Sequence, residues 1–100
     1  MPSVSGASMT DELVEGYVLR ALQYRRLGDL ENAKKSIETA ISLKPSAETF
    51  VLQGMIQQDL AQNDAARLSY AAALRADPKD ANAGKLLNAL DKVANVDNAE

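Results

Sequence analysis

The sequence has 100 residues, of which 46% are hydrophobic and 25% charged, with a formal net charge of -3. That length suits a single domain with one modest core. It contains no His and no Cys. Zinc fingers, Cys–His dyads, Ser–His–Asp triads, thiol redox centres and disulfides are therefore excluded. The acidic balance argues against nucleic-acid binding. We predict no catalytic, metal or cofactor site.

The sequence predicts neither a membrane span nor a secretory signal. No apolar run approaches the ~18 residues of a membrane span. Residues 1–9 lack the basic head and apolar stretch of a secretory signal. If the sequence is the whole chain, it predicts a cytoplasmic protein without membrane insertion. Residues 1–9 and 95–100 are small and polar, and are predicted to be a disordered lead and a disordered tail.

The residues between these ends predict helices separated by short turns. Strand-like runs of β-branched and aromatic residues are missing. Gly28 can end one helix and Asp29 can cap the next. Prolines at 45 and 78 stand just past a helix, and Asn63 is a candidate cap in the remaining turn. The predicted helices lie at about 10–27, 30–44, 47–61, 64–77 and 80–94.

The chain repeats itself at a distance of 33 residues. Shifting the sequence by that number lays residues 13–45 on 46–78. The identical pairs are Glu15/Glu48, Val18/Val51, Leu19/Leu52, Leu27/Leu60, Ala33/Ala66, Ser36/Ser69, Ala40/Ala73 and Pro45/Pro78. These pairs fall at small, apolar and closing-proline positions, where packing is demanding. A period of this length, made of two helices, is typical of stacked helical hairpins.

The two copies resemble the tetratricopeptide repeat, a helix-turn-helix unit of about 34 residues. The family pattern runs through a large aromatic, a small residue, a Tyr, a turn Gly, an Ala, an aromatic, an Ala and a Pro. The first copy has Tyr17, Ala21, Tyr24, Gly28, Ala33, Ile37, Ala40 and Pro45. The second has Phe50, Gly54, Gln57, Ala61, Ala66, Tyr70, Ala73 and Pro78. Ile37, Gln57 and Ala61 depart from the pattern.

This resemblance implies an all-α fold, a right-handed superhelical stack of helix-turn-helix hairpins. The helical domain spans 10–94, with repeats at about 14–46 and 47–79 and a capping helix at about 80–94. Tyr70 and Phe50 are expected in the core. The capping helix places apolar residues at helical spacing, with a polar complement, so it can cover the second repeat. These apolar residues are Leu86, Leu87, Leu90 and Val93.

Members of this family usually bind a protein or peptide segment on a concave face lined by the first helices. By alignment, that face comprises Val18, Leu22, Arg25, Arg26, Val51, Met55, Gln58, Asp59, Lys85, Asn88 and Lys92. A segment with an apolar anchor and an acidic residue near Arg25 or Arg26 would suit it. The chain is then an adaptor, scaffold or assembly factor. The alternative for these positions is that the apolar ones only pack between helices and the arginines are solvated.

Two other functions remain open. No capping helix precedes the first helix, which is therefore expected to expose Leu13, Val14 and Leu22. The N-terminal hairpin could then pair with a second copy in a homo-oligomer. A repeat array normally needs at least three repeats to be stable on its own, which favours such pairing. The chain could also be a non-catalytic regulatory domain of a larger system.

Overall fold

Five α-helices form the computed structural model, which describes the backbone of residues 8–98 and the side chains of residues 8–92. They are α1 (Met9–Leu27), α2 (Leu30–Leu43), α3 (Ala47–Asp59), α4 (Asn63–Ala76) and α5 (Ala81–Asn98). No strand occurs in residues 8–98. The prediction of an all-α helical repeat fold is confirmed.

The helix ends differ from the predicted ones mainly at the C-terminus. Helix α5 continues to Asn98, so the predicted tail is wrong for residues 95–98. The reason is that Ala94–Asn98 contains no Gly or Pro to end the helix. At the other end, Met9 already begins α1, and Ser8 Oγ accepts the N–H of Asp11 at 3.0 Å. The rest of the predicted lead and tail lies outside the described residues.

The two hairpins turn in the same way after their first helices. Gly28 has φ 82°, and the N–H of Asp29 donates to Tyr24 O at 2.9 Å. At the equivalent place in the second repeat, Ala61 has φ 62°, and the N–H of the following residue donates to Gln57 O at 2.8 Å. Both are Schellman motifs, which need one residue in the left-handed region. Ala61 adopts that conformation although it carries a Cβ.

Side-chain caps start most of the helices. Asp29 accepts the N–H of the residue three positions on at 3.4 Å, and Asp80 accepts the corresponding N–H at 2.9 Å. Ser46 forms a capping box with the threonine three positions on, with hydrogen bonds of 3.2 and 3.0 Å. The predicted cap at Asn63 is wrong, because Gln62 occupies that position and makes no capping bond through its side chain.

The helices pack in two units, with the boundary between Pro45 and Ser46. In the first unit α1 and α2 pack along each other. In the second unit α3 packs on α4, and α5 packs mainly on α4. The buried apolar side chains of the first unit are Val18, Ala21, Ala33, Ile37 and Ala40.

A close approach between α3 and α4 defines the second unit. Tyr70 of α4 is fully buried, and its ring lies against the backbone of Gly54 on α3. A Cβ on Gly54 would stand 2.7 Å from Tyr70 Cδ1 and 2.8 Å from Cζ, closer than such atoms can lie. Tyr70 is thus a core residue as predicted, while Phe50 is only half-buried beside the neighbouring cluster.

Helix α5 covers the second repeat, as the spacing of its leucines predicts. Leu90 is buried against Ala66 and Tyr70, and Ala83 is buried with residues of α3 and α4. Arg67 of α4 also holds α5 from outside, through a 3.0 Å ion pair with Asp91. The side chain of Val93 lies beyond the described side chains.

An ion pair joins the start of α1 to the residue after α2. Lys44 Nζ lies 2.7 Å from Asp11 Oδ1, and both side chains are partly exposed. The hydrogen bond from Lys44, helped by its positive charge, lowers the pKa of Asp11 below 3.8. Any stabilisation from this pair is present above the pKa of the unfolded chain and is lost as the pH falls through the lowered pKa of the folded chain.

We expect Gly54→Ala to destabilise the protein by about 1–3 kcal/mol, because the added methyl group collides with the packed Tyr70 ring. Gly84→Ala is the matched control. Among the described residues, no atom beyond the chain neighbours and the backbone of the same helix lies within 4 Å of a Cβ at Gly84, so alanine there should stabilise α5 by up to about 1 kcal/mol. Urea denaturation monitored by circular dichroism measures both. Equal stability of the two variants would contradict the close packing.

We expect Ala61→Gly to stabilise the protein by about 1 kcal/mol, because glycine adopts a positive φ without the steric cost that Ala61 bears. Gly28→Ala should have the opposite effect of similar size, since a Cβ there meets no neighbour and only the backbone cost remains. Thermal unfolding of both variants gives the comparison. A destabilised Ala61→Gly variant would refute the left-handed turn.

We expect Lys44→Met to raise the pKa of Asp11 towards 3.8, since its hydrogen bond and positive charge are removed together. A carbon-detected NMR titration of the Asp11 carboxyl measures the pKa directly. Lys35→Met, an exposed lysine of α2, is the control and should leave the pKa of Asp11 unchanged. An identical pKa of Asp11 in wild type and Lys44→Met would rule out the ion pair in solution.

Candidate functional site

The predicted site residues of α1 differ in how much surface they offer. Val18 is buried in the first unit, with 9% of its surface exposed. Leu22 is 40% exposed, Arg25 is half-buried and Arg26 is exposed. Among the predicted site residues of α1, Leu22 is therefore the apolar one with an exposed side chain, and Arg26 lies one turn further along.

The predicted site residues at the middle of α3 serve the core of the second unit. Val51 is 9% exposed and packs with Ala73 and Ala83. Met55 is half-buried and lies against both buried clusters of this unit. Val51 therefore has little surface left for a partner, whereas Met55 keeps part of its flexible side chain accessible.

The end of α3 is organised by hydrogen bonds from α4. The hydroxyl of Tyr70 donates to Gln58 Oε1. Ser69 Oγ of α4 lies 2.6 Å from Oε1 of the adjacent Gln57 and 3.0 Å from Oε1 of Gln53, one turn earlier on α3. Gln58 is thereby held in place by the core residue beneath it, and Asp59 next to it is exposed. These polar contacts were not predicted from the sequence.

The predicted site residues of α5 all point to solvent. Lys85, Asn88 and Lys92 are exposed and lie three and four positions apart, which places them on one face of the helix. Asp91 beside them is engaged by Arg67 of α4. The exposed face of α5 is therefore positively charged, with an amide between two ammonium groups.

Several predicted residues recur at the same position of the repeat. Leu22, Met55 and Asn88 are 33 residues apart, as are Arg26, Asp59 and Lys92. The first position changes from leucine to methionine to asparagine, so it becomes more polar towards the C-terminus. The second alternates in charge. The sequence thus varies at two positions that the packing leaves at least partly accessible.

Sequence reasoning anticipated some exposed apolar residues and missed others. Leu13 and Leu22 are exposed as predicted, and Val14 is half-buried. Leu19 and Leu68 were missed, although they are 55% and 72% exposed. A helical projection centred on the buried alanines would have found them, because both lie on the far side of their helices from the core.

Other kinds of site find no support in the described part of the chain. The side chains described, those of residues 8–92, include no cluster of acidic groups suited to a metal ion. None of the helices in the same range combines the length and the apolar character that crossing a bilayer requires.

Comparison with known proteins identifies the repeats. A family model described as a tetratricopeptide repeat matches residues 14–46 and again residues 47–80. These are the two copies that the 33-residue shift aligns. No curated protein and no solved structure matches the chain significantly. Modules of this family typically bind other proteins. The family model covers two thirds of the sequence in two consecutive copies. The first copy coincides with the pair α1 and α2, and the second with the pair α3 and α4. The chain therefore belongs to the tetratricopeptide repeat family.

Proposed function

We propose that this protein binds a segment of another protein and acts as a non-catalytic adaptor, scaffold or assembly factor. The observation that carries the proposal is the pair of tetratricopeptide repeats, since modules of this kind typically mediate protein–protein contacts. The residue inventory supports a role without catalysis, because the chain has no His or Cys to supply the usual nucleophile or general base.

The binding residues that we propose are those first-helix positions whose side chains are accessible. Val18 and Val51 are set aside because they are buried. Gln58 is engaged by Tyr70, so it acts as a support for its neighbours. The remaining apolar positions are Leu22 and Met55. The remaining polar ones are the half-buried Arg25 and the exposed Arg26, Asp59, Lys85, Asn88 and Lys92.

The chemistry of these residues favours an acidic partner segment with an apolar anchor. Leu22 and Met55 offer apolar surface, and methionine adapts its shape to an inserted side chain. Arg26, Lys85 and Lys92 are exposed cations. Carboxylates of a partner would gain charge-assisted hydrogen bonds from them. Exposed charges mainly raise the association rate, so we expect binding to weaken as the salt concentration rises.

We expect Leu22→Glu, Arg26→Glu and Lys92→Glu each to weaken partner binding about tenfold, since each places a negative charge where an acidic segment is bound. The partner is first identified by crosslinking in the native cell and mass spectrometry. Its binding segment is then titrated against the purified variants by isothermal calorimetry.

Leu68→Glu is the matched control for Leu22→Glu. Leu68 is a highly exposed leucine on α4, the second helix of its hairpin. Its variant should bind the partner as wild type does. First-helix variants that keep their helical circular dichroism and bind with wild-type affinity would overturn the proposed surface. Loss of binding in Leu68→Glu alone would place the contact on the second helices.

A further inference from the structure

One face of α1 exposes apolar side chains over more than two helical turns. Met9, Leu13 and Leu19 are 82%, 53% and 55% exposed. At about 100° per residue, all three lie within about 60° of the direction in which Gly16 faces. We call this surface, formed by Met9, Glu12, Leu13, Gly16, Leu19 and Arg20, the Gly16 face.

The Gly16 face points away from the rest of its hairpin. Val18 and Ala21, which are buried in the first unit, lie about 200° and 140° around the helix from Gly16. Apart from its chain neighbours and the backbone of its own helical turns, no atom of the described residues lies within 4 Å of a Cβ built on Gly16. The helix surface is therefore indented there, in a depression of about 130 Å³ that Tyr17 and Arg20 help to line. Another helix can approach closely at such a point.

The charges of the Gly16 face are complementary to themselves. Glu12 and Arg20 stand four residues before and after Gly16, and Leu13 and Leu19 stand three residues before and after it. When two such helices pack antiparallel about a two-fold axis at Gly16, Glu12 of one copy comes level with Arg20 of the other. Leu13 likewise comes level with Leu19. A parallel pair would instead set Glu12 against Glu12.

These two charges are available for a contact between copies. Within one chain they are eight residues apart, about 12 Å along the helix axis, so they do not pair with each other. The Arg20 guanidinium lies 5.1 Å from the centroid of the Tyr17 ring, which supports it on the same side of α1. Both side chains are exposed.

We propose that the protein forms an antiparallel homodimer in which the Gly16 faces of two copies pack against each other. The contact contains two Glu12–Arg20 pairs, two Leu13–Leu19 pairs and a central glycine crossing. Leu22, which belongs to the partner surface proposed above, lies about 120° away from Gly16. Self-association and partner binding therefore use different sides of α1, and either can fail without the other.

The expected dimer is reversible. Helix α1 has 19 residues and is about 28 Å long, so the contact is one helix wide. Such an interface falls below the ~1,600 Å² of a standard stable complex. We therefore expect a dissociation constant in the micromolar range.

Charge reversal in the full-length protein tests the pairing by sedimentation velocity over a wide concentration range. We expect Glu12→Arg and Arg20→Glu each to weaken the homodimer about tenfold, because each replaces both attractive pairs by repulsive ones. An equimolar mixture of the two variants should dimerise with near wild-type affinity, since every pair is then of opposite charge. Glu31→Arg, an exposed reversal on α2, is the control and should dimerise like wild type.

A second measurement does not depend on charged variants. The chain has no cysteine, so Gly16→Cys introduces one thiol at the proposed two-fold axis, where a disulfide between copies can form. Under mild oxidation it should crosslink faster than Gly84→Cys, a glycine of α5 without close neighbours. A wild-type monomer at all concentrations, or a dimer unaffected by both reversals, would overturn the proposal. Crosslinking at equal rates, or occupancy of the Gly16 face by a different protein, would do the same.

Discussion

Tyr70 can lie across the middle of α3 only because residue 54 has no side chain. The Gly54 backbone and the Tyr70 ring are in contact, so the distance between α3 and α4 is fixed there. In the first repeat the equivalent positions are held by Ala21 and Ile37, and both are fully buried. In each repeat, a small residue on the first helix thus corresponds to a large residue on the second: Ala21 with Ile37, and Gly54 with Tyr70. Close-packed interiors require such compensation, since extra volume on one side must be removed from the other.

Tyr70 also connects this packing to the rest of the second unit. Its hydroxyl donates to Gln58, while its ring is part of the cluster that buries Leu90 of α5. Helix α4 therefore has α3 and α5 as its neighbours. This arrangement explains why a solitary fifth helix is useful: it covers the apolar side of α4 that α3 leaves open. Its outer face, with Lys85 and Lys92, is polar enough to face water.

Turn residues were enough to predict the helices, and the residue pattern of the 33-residue repeat was enough to predict the family, because packing in a repeat protein is local and recurs with the sequence. The details that the period did not predict depend on single backbone or side-chain conformations. Ala61 adopts a left-handed conformation that the sequence would assign to glycine, and Gln62 takes the capping position expected of Asn63. In both places the observed conformation departs from the local preference of the residue type.

For the candidate site, the sequence could not separate the exposed residues of the first helices from the buried ones. Val51 and Met55 lie on the same helix and are both apolar. Whether such a residue packs inward depends on the side chains of neighbouring helices, such as Ala73 and Ala83 around Val51. Leu19 is exposed, whereas the identical residue at the equivalent position of the second repeat, Leu52, is buried. Residue type alone therefore does not predict burial in these helices.

Within each unit, helices that follow each other along the chain pack together, and this has a kinetic consequence. Helix α1 packs with α2, α3 with α4, and α4 with α5, so most contacts close only a short loop. The entropy lost in closing such loops is small, and proteins rich in contacts of this kind reach the native state in microseconds to milliseconds. Each hairpin can begin to form before the remainder of the chain has emerged during synthesis. The time during which unpaired helices expose apolar surface, and could therefore aggregate, is correspondingly short.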